Sequence, residues 1–250
     1  MRFLLIISFL LSSFISVKSQ DIASLIREAD RLESIPDEKA AFSKFKLILK
    51  LEPENLYALS KCSELCSRIG NRQPDPRSRD SYYEAAIIYA RNALKLYPNS
   101  DEAHVVMGIA IGRTSLVKNG KEKIAAVKEI KQYAETALKI NPNNFKAWHI
   151  IGKWNYEVSN LNLMERAATK VFYGGLPNAS IKNSISAYEK ARILKPTFLL
   201  NYLELAKVYK KNNEKQKGIA MLKVLLSLPS YTEDDPRIKK ETATLLKNWQ

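Results

Sequence analysis

The side chains best suited to acid–base chemistry in this sequence lie close together in one stretch. Glu157, Glu165 and Arg166 could supply two carboxylates and a guanidinium partner. General acid–base catalysis needs groups with shifted pKa values that converge in a pocket. Nothing in the surrounding sequence predicts such a pocket, so we expect a structural salt bridge between a helix and the segment that follows it.

Motifs for nucleophilic catalysis and metal binding are missing from the sequence. It has no Gly-x-Ser-x-Gly and no His-Glu-x-x-His, and it has no cysteine near a histidine. His104 and His149 are the only histidines, and both are far in sequence from Cys62 and Cys66, so a metal site would lack ligands. We therefore predict no catalytic residue, no metal ligand and no cofactor, and a protein that is not an enzyme.

Cys62 and Cys66 lie four residues apart in a stretch with helical spacing. That spacing puts both side chains on one helical face, where the geometry seldom allows a disulfide without distortion. We expect two small core residues.

The N-terminal stretch differs from the rest of the chain. Arg2 precedes an apolar run from Phe3 to Val17, and Ser19 provides a small residue for cleavage. This pattern predicts a signal peptide at residues 1–19 and an exported protein, periplasmic or secreted, without a transmembrane span after cleavage. An uncleaved anchor is the alternative, although the run is shorter than the ~20 residues that span a bilayer.

The formal net charge of +14 favours anionic partners. Acidic proteins, anionic lipid head groups and polyanionic polymers all fit this charge. Zinc-finger spacing, a glycine-rich phosphate loop and an aromatic RNA-binding motif are missing, so we do not expect nucleic acid as a partner.

Prolines recur along the chain, and each follows a stretch with helical spacing of its apolar residues. A proline just past a helix end cannot continue the hydrogen-bond ladder and marks the turn into the next helix. Five residues before each proline stands a small or β-branched aliphatic side chain, which would let helices approach closely. The prolines are Pro53, Pro98, Pro142, Pro196 and Pro229, and the preceding residues are Ile48, Ala93, Ala137, Ala191 and Val224.

A second pattern follows the prolines at offsets of nine and ten residues, where an apolar residue precedes a small one. Three residues before each apolar position stands a mostly large side chain that would fill the space between two antiparallel helices. We expect Trp148 to lie in the core on this basis. The pairs are Cys62-Ser63, Met107-Gly108, Ile151-Gly152 and Leu205-Ala206, and the preceding side chains are Leu59, His104, Trp148 and Tyr202.

These residues resemble the tetratricopeptide repeat, W-x2-L-G-x2-Y followed by A-x3-F-x2-A and P. The closest copies are residues 148–152 and 202–209. The resemblance implies an all-α fold, a right-handed α-solenoid of antiparallel helix pairs over residues 20–250, with a polar capping helix from Asp235 to Gln250. Spacings longer than one repeat predict inserted connections near residues 70–80, 116–121 and 161–180, as elongated turns or extended helix ends.

A more particular resemblance covers most of the chain. The long segment from His149 to Pro196 is similar to the inserted repeat of the regulator of microtubule dynamics family. That resemblance implies a helical repeat domain with an interaction role and no catalytic residues. The positions that carry it are His149, Gly152, Trp154, Glu157, Glu165-Arg166 and Gly174-Gly175.

The tetratricopeptide resemblance also implies which residues face a bound peptide, because the first helix of each pair lines the concave surface. Transferred to this chain, it predicts a basic partner-binding groove. The residues are Arg68, Arg113, Lys146, His149, Lys153, Tyr156, Lys207, Lys210 and Lys211.

The function predicted is a protein-protein interaction scaffold or adaptor that binds a partner protein or an acidic peptide in this groove. The alternative is an envelope-associated module that holds an anionic polymer or a lipid surface by charge. Since an export signal would separate the protein from cytoplasmic microtubules, we do not expect tubulin to be the partner.

Overall fold

The computed structural model describes residues 22–115 and 120–250, and all regular secondary structure in those ranges is α-helical. The signal peptide predicted at residues 1–19 lies outside the described residues, as does most of the connection predicted near 116–121. In chain order the helices are α1 (residues 22–34), α2 (Glu38–Leu51), α3 (Leu56–Asn71), α4 (Pro76–Leu96), α5 (Asp101–Ser115), α6 (Gly120–Ile140), α7 (Phe145–Ser159), α8 (Leu163–Tyr173), α9 (Ile181–Leu194), α10 (Leu199–Lys211), α11 (Lys215–Ser227) and α12 (Asp235–Trp249).

The helices stack as antiparallel pairs, which confirms the solenoid expected from the repeat. Consecutive members of the series α3, α5, α7, α10 and α12 contact each other, and each of these helices also contacts a helix next to it in the chain. Helices that approach each other in this way lie on the shorter, concave side of a curved stack, so we call these five the inner helices. The outer helices are α2, α4, α6, α9 and α11.

The recurring prolines stand two residues beyond the ends of the outer helices, as predicted. Just before each of the first four prolines, a backbone N–H donates to the carbonyl four residues back, and these carbonyls belong to fully buried small or aliphatic residues. The last turn of each of these four outer helices therefore closes on a fully buried residue. The carbonyls are those of Ile48, Ala93, Ala137 and Ala191.

Val224 is the exception among the residues that precede the prolines, and the prediction that it packs between helices is wrong. At the end of α11 the Leu228 N–H donates to the carbonyl of Leu225, three residues back. The last turn is therefore tighter. Leu225 is fully buried, while Val224 is exposed.

Close approach at Gly152 explains one of the small residues. A Cβ on Gly152 would lie 2.8 Å from the ring of Tyr188, a fully buried side chain on α9. The Ser184 hydroxyl, also on α9, donates to the Gly152 carbonyl at 2.7 Å. Any side chain at position 152 would push α7 and α9 apart.

The two cysteines are free and buried on α3, which confirms that they are core residues. Burial raises the pKa of Cys66 to about 12, so its thiol stays protonated near neutral pH. The prediction that Trp148 lies in the core is wrong. It is half-buried at the start of α7, and its indole Nε1 donates to the Pro142 carbonyl at 2.8 Å.

The inserted connections take two forms. The first two lie beside long outer helices, because α4 and α6 have 21 residues each while α2 and α9 have 14. The connection predicted near 161–180 instead contains the additional helix α8, which packs against α6.

The two ends of the stack meet. The Glu38 N–H, at the start of α2, donates to the Glu233 carboxylate at 2.8 Å, and the Glu233 N–H donates back to Glu38 at 3.4 Å. Arg72 joins both sides, with contacts to Glu38 at 2.6 Å, Glu233 at 3.0 Å and Asp234 at 3.3 Å. Residues 195 positions apart in sequence are therefore held together.

Within the part of the chain described here, no helix is both long and apolar enough to cross a membrane.

Candidate functional site

The nine predicted groove residues all lie on inner helices, at one position each of α3 and α5, four positions of α7 and three of α10. They occupy two different environments. Four are half-buried and contact side chains of other helices, and we call them the enclosed set: Arg68, Arg113, Lys146 and His149. The other five lie along α7 and α10, and we call them the α7–α10 patch: Lys153, Tyr156, Lys207, Lys210 and Lys211.

Two cations of the enclosed set are held by carboxylates from other helices. Arg68 contacts Glu33 at 2.5 Å and Glu38 at 3.3 Å. Lys146 lies between Glu102, at 2.6 Å, and Glu64, to which it also donates a hydrogen bond. The Lys146 contacts join the inner helices α3, α5 and α7, and the Arg68 contacts join α3 to α1 and to the start of α2.

The charges around Lys146 fix its protonation. Burial alone would lower the pKa of Lys146, but the carboxylates of Glu64 and Glu102 outweigh burial and raise it. The pKa of Glu64 is lowered because Lys146 and neighbouring cations outweigh its burial. Burial and the charge of Glu64 raise the pKa of Glu102. The cation thus stays charged while two carboxylates compete for it.

Arg113 has no carboxylate within ion-pair distance among the described residues. Its guanidinium donates to the Asn71 side chain at 3.1 Å, and burial lowers the pKa of Arg113. An arginine remains charged throughout the physiological range even so. Its position ties α5 to the end of α3.

His149 is enclosed by aromatic rings, with Tyr188 at 5.2 Å and Phe198 at 4.9 Å between ring centroids. Its Nδ1 lies 3.0 Å from the side-chain oxygen of Asn201, whose amide nitrogen donates to the Tyr188 carbonyl. Because the Asn201 oxygen must accept, we assign the proton to Nδ1. Burial lowers the pKa of His149, so the imidazole is neutral at pH 7.

The α7–α10 patch is more open. The Lys153 side chain is 48% exposed, and Lys210 and Lys211 are exposed at the end of α10. Lys210 lies over the ring of Trp249 at 4.5 Å, and Lys211 has no ion-pair partner among the described residues. Tyr156 packs at the edge of the aromatic and aliphatic cluster between α9 and α10.

Glutamates also enter this patch. Glu204 contacts Lys153 at 3.0 Å and Lys207 at 3.2 Å. Burial would raise the pKa of Glu204, but these two lysines outweigh it and lower the pKa. Glu157 pairs with Lys153 at 2.9 Å, and Glu241 pairs with Lys207 at 2.8 Å. The patch therefore has four cations beside three carboxylates.

The carboxylates are what the sequence interpretation missed, because it considered the cations alone. One signal was present: Glu102 and Lys146 stand at the same position of neighbouring repeats, four residues after Pro98 and Pro142. Opposite charges at one repeat position predict a contact between adjacent inner helices.

The predicted salt bridge of Glu157, Glu165 and Arg166 does not form as expected. Glu157 pairs within α7 to Lys153, and Glu165 accepts from the Asn162 backbone to cap α8. Arg166 donates to the carbonyls of Leu161 and Ser159. Each side chain closes a local turn or helix end.

Comparison with known proteins links this fold and sequence to one family. The sequence model described as regulator of microtubule dynamics protein 1-3 matches residues 25–250. The bovine regulator of microtubule dynamics protein 1 is 28% identical over 240 residues, covering 94% of this chain and 74% of that protein. The corresponding mouse protein is 29% identical, covering 77% of this chain and 63% of the relative.

Xenopus laevis regulator of microtubule dynamics protein 3 is 25% identical, and the chain spans about half of it, 49%. Among solved structures, a tetratricopeptide protein of Thermus thermophilus superposes with a TM-score of 0.65 at 15% identity. The superposition covers 90% of this chain and 99% of the Thermus protein chain. That similarity establishes the tetratricopeptide fold and nothing about the ligand.

Proposed function

This chain belongs to the regulator of microtubule dynamics family, and we propose that it is a non-enzymatic scaffold that binds an acidic segment of a partner protein at the α7–α10 patch. Tetratricopeptide stacks present an extended concave surface on which partner segments lie. The observation that carries the proposal is that, among the nine predicted groove residues, the exposed cations all lie in this patch, whereas the cations of the enclosed set are half-buried.

An acidic segment can engage the patch by exchanging ion pairs. The carboxylates of Glu157 and Glu241 contact Lys153 and Lys207 from exposed positions, with 60% and 37% of their side chains exposed. Exposed ion pairs contribute only ~0–1 kcal/mol, so a partner carboxylate can replace them at little cost. Glu204 stays in place between the two lysines because it is buried.

The polar and apolar parts of the patch complement each other. Lys207, Lys210 and Lys211 occupy one face of α10, and Tyr156 lies one turn from Lys153 on α7 and packs against apolar residues of α10. Lysines would steer and hold carboxylates, while the tyrosine would contact an apolar side chain of the same segment. This combination fits a short acidic peptide with one apolar residue.

In this proposal, the compartment in which the protein resides determines which partner it can meet. The names of the relatives connect them with microtubule dynamics. With an export signal at residues 1–19, the partner would instead be a protein of the periplasm or the extracellular space. Sedimentation of the full chain with polymerised tubulin tests the first possibility directly.

The binding test uses a fluorescein-labelled peptide rich in glutamate with one central leucine. We expect Lys210→Glu combined with Lys211→Glu to weaken binding by about tenfold or more, since two attractive contacts become repulsive. The matched control is Lys50→Glu with Lys95→Glu, which makes the same charge change at exposed positions of the outer helices α2 and α4. Fluorescence anisotropy gives both dissociation constants.

Equal losses in the patch variant and its control would contradict the proposal. That result would mean that only the overall charge of the protein attracts anions. Binding by overall charge would also fall steeply with ionic strength and tolerate Tyr156→Ala. A peptide held in the patch would lose affinity on Tyr156→Ala at every salt concentration.

A further inference from the structure

Helix α8 carries the most exposed apolar side chains among the described residues. Leu163 is 86% exposed, Met164 is 83% exposed and Val171 is 75% exposed. Leu163, Ala167 and Val171 follow one another at helical spacing, and Ala167 is exposed as well. Together Leu163, Met164, Ala167 and Val171 form a continuous apolar strip, which we call the α8 face.

The helix that carries this face is firmly terminated at both ends. Asn162 and Glu165 form a capping box at its start. Gly174 ends it with a left-handed backbone, φ 69°, and Gly175 continues with φ 80°. A helix of 11 residues with little packing is marginal in water, so these caps hold the α8 face in its helical arrangement.

The α8 face points away from the stack. Thr169, one turn from Glu165, is buried, and α6 is the helix against which α8 packs in the described part of the chain. Leu163 and Met164 of the α8 face, together with Leu161, Asn162 and Arg166, line a depression that is wide open to solvent. An open, outward-facing apolar strip offers no groove for a partner helix.

The stretch of sequence that contains the α8 face has a net positive charge. Residues 161–182 contain the cations Arg166, Lys170 and Lys182 against the single carboxylate of Glu165, which is engaged in the helix cap. Lys170 and Lys182 are exposed. Cations next to an exposed apolar strip are the arrangement of helices that lie in the interface of an anionic bilayer.

We propose that the α8 face docks the protein onto an anionic phospholipid surface. Leu163, Met164 and Val171 enter the boundary between head groups and acyl chains, and Lys170 and Lys182 contact the phosphates. With 11 residues α8 is too short to span a bilayer, so it lies in the plane of the surface.

The docking surface is separate from the α7–α10 patch. Because α8 packs on the outer helix α6, a bilayer against the α8 face leaves the inner helices open. The protein can therefore hold a membrane and a partner segment at the same time. The membrane proposal does not depend on the partner proposal, and each can fail alone.

The test places an environment-sensitive fluorophore on the α8 face of the full chain through Met164→Cys. Cys62 and Cys66 are fully buried and do not compete for the label. The control is Ile193→Cys, at a position of α9 whose side chain is 63% exposed. The readout is local, so the apolar run of residues 3–17 does not contribute to it.

On titration with phosphatidylcholine vesicles that contain phosphatidylserine, we expect a blue shift and brighter emission at position 164 and no change at position 193. Leu163→Gln with Val171→Gln should raise the half-saturating lipid concentration by about tenfold or more, because two large apolar side chains no longer enter the bilayer. Lys170→Gln with Lys182→Gln should raise the half-saturating lipid concentration by a smaller factor. Vesicles without phosphatidylserine should also raise it by a smaller factor.

Three results would overturn the proposal. One is unchanged emission at position 164 with anionic vesicles. Another is an equal shift at positions 164 and 193, which would mean that the protein adsorbs without orientation. The third is a label that ignores vesicles but becomes buried on addition of a protein extract, which would make the α8 face a protein-binding surface.

Discussion

Contacts between single side chains set the distance between the paired helices. Gly152 lies against the ring of Tyr188, and the ring fills the volume that a side chain at position 152 would need. Interiors packed at this density accept little extra volume without a shift of backbone. The small residue that follows the apolar one in the repeat therefore sets the distance between the paired helices.

Gly152→Ala should destabilise the protein by about 1–3 kcal/mol, because the new Cβ would lie 2.8 Å from Tyr188 and would push α7 from α9. The measurement is urea unfolding followed by circular dichroism. Gly112→Ala is the control, since its nearest neighbour is the Ile130 Cδ1 at 3.9 Å. There the replacement should stabilise α5 by roughly 0.5–1 kcal/mol. Similar effects at the two positions would contradict this account.

His149 makes stability depend on pH. Burial lowers its pKa from the usual 6.5 in the folded protein, so the unfolded chain binds more protons near and below that pH. The free energy of unfolding should therefore fall as the pH drops from about 7 to 5, a window above the titration of most carboxylates. His149→Gln should flatten this dependence. The measurement is the free energy of unfolding of both proteins across that pH window. An equal dependence on pH in the two proteins would show that His149 is not the responsible group.

At the scale of helices, one short connection recurs between an outer helix and the next inner helix. Two residues after Pro53 and Pro142 stand Asn55 and Asn144, whose side chains accept from backbone N–H groups of Ala58 and Ala147. The proline ends one helix and the asparagine begins the next. Asn144 is also buried and donates to Asp101 at 2.8 Å, which links two repeats.

Asn144→Ala should cost about 1 kcal/mol or slightly more, since the first turn of α7 loses its cap and Asp101 loses one donor. Thermal unfolding of the variant reports the loss. Asn143→Ala, at the exposed neighbouring position, should change stability by less than roughly 0.5 kcal/mol. A small effect at position 144 would mean that α7 is held by packing alone.

The sequence predicts the helix pairs well because each pair repeats the same proline and small residues. It does not predict α8, since the segment lies between two proline-anchored units and its helical spacing covers only a short run of residues. It does not predict the partners of the groove lysines either. Lys146 pairs with Glu64, 82 residues away, and that contact depends on how strongly the stack curves.

At the scale of the whole molecule, the stack closes on itself. In an open repeat protein each unit touches its neighbours only, and unfolding can spread from either end. Here Arg72 binds Glu38 near one end of the stack and Glu233 and Asp234 near the other. Both ends are thereby tied into one cooperative unit.

Arg72→Ala should destabilise the protein by about 2–5 kcal/mol, because Glu38 is fully buried and would keep only Arg68 as a cationic partner. It should also separate the ends, which spin labels at Lys39→Cys and Lys240→Cys would detect as a longer distance. Arg79→Ala removes a half-exposed pair with Asp80 and should cost less than about 1 kcal/mol. An unchanged label distance in the Arg72 variant would mean that the stack holds its curvature without this contact.

The meeting of the two ends also fixes how many units the protein can have. Solenoids commonly change length when a gene gains or loses one repeat, since an added unit only extends the array. In this molecule an extra helix pair between α3 and α11 would move Glu233 away from Arg72 and Glu38. Glu38 would then be buried without the contacts that Glu233 makes to it. Duplication of a repeat would therefore be selected against, while growth inside a connection, as at α8, leaves the closure intact.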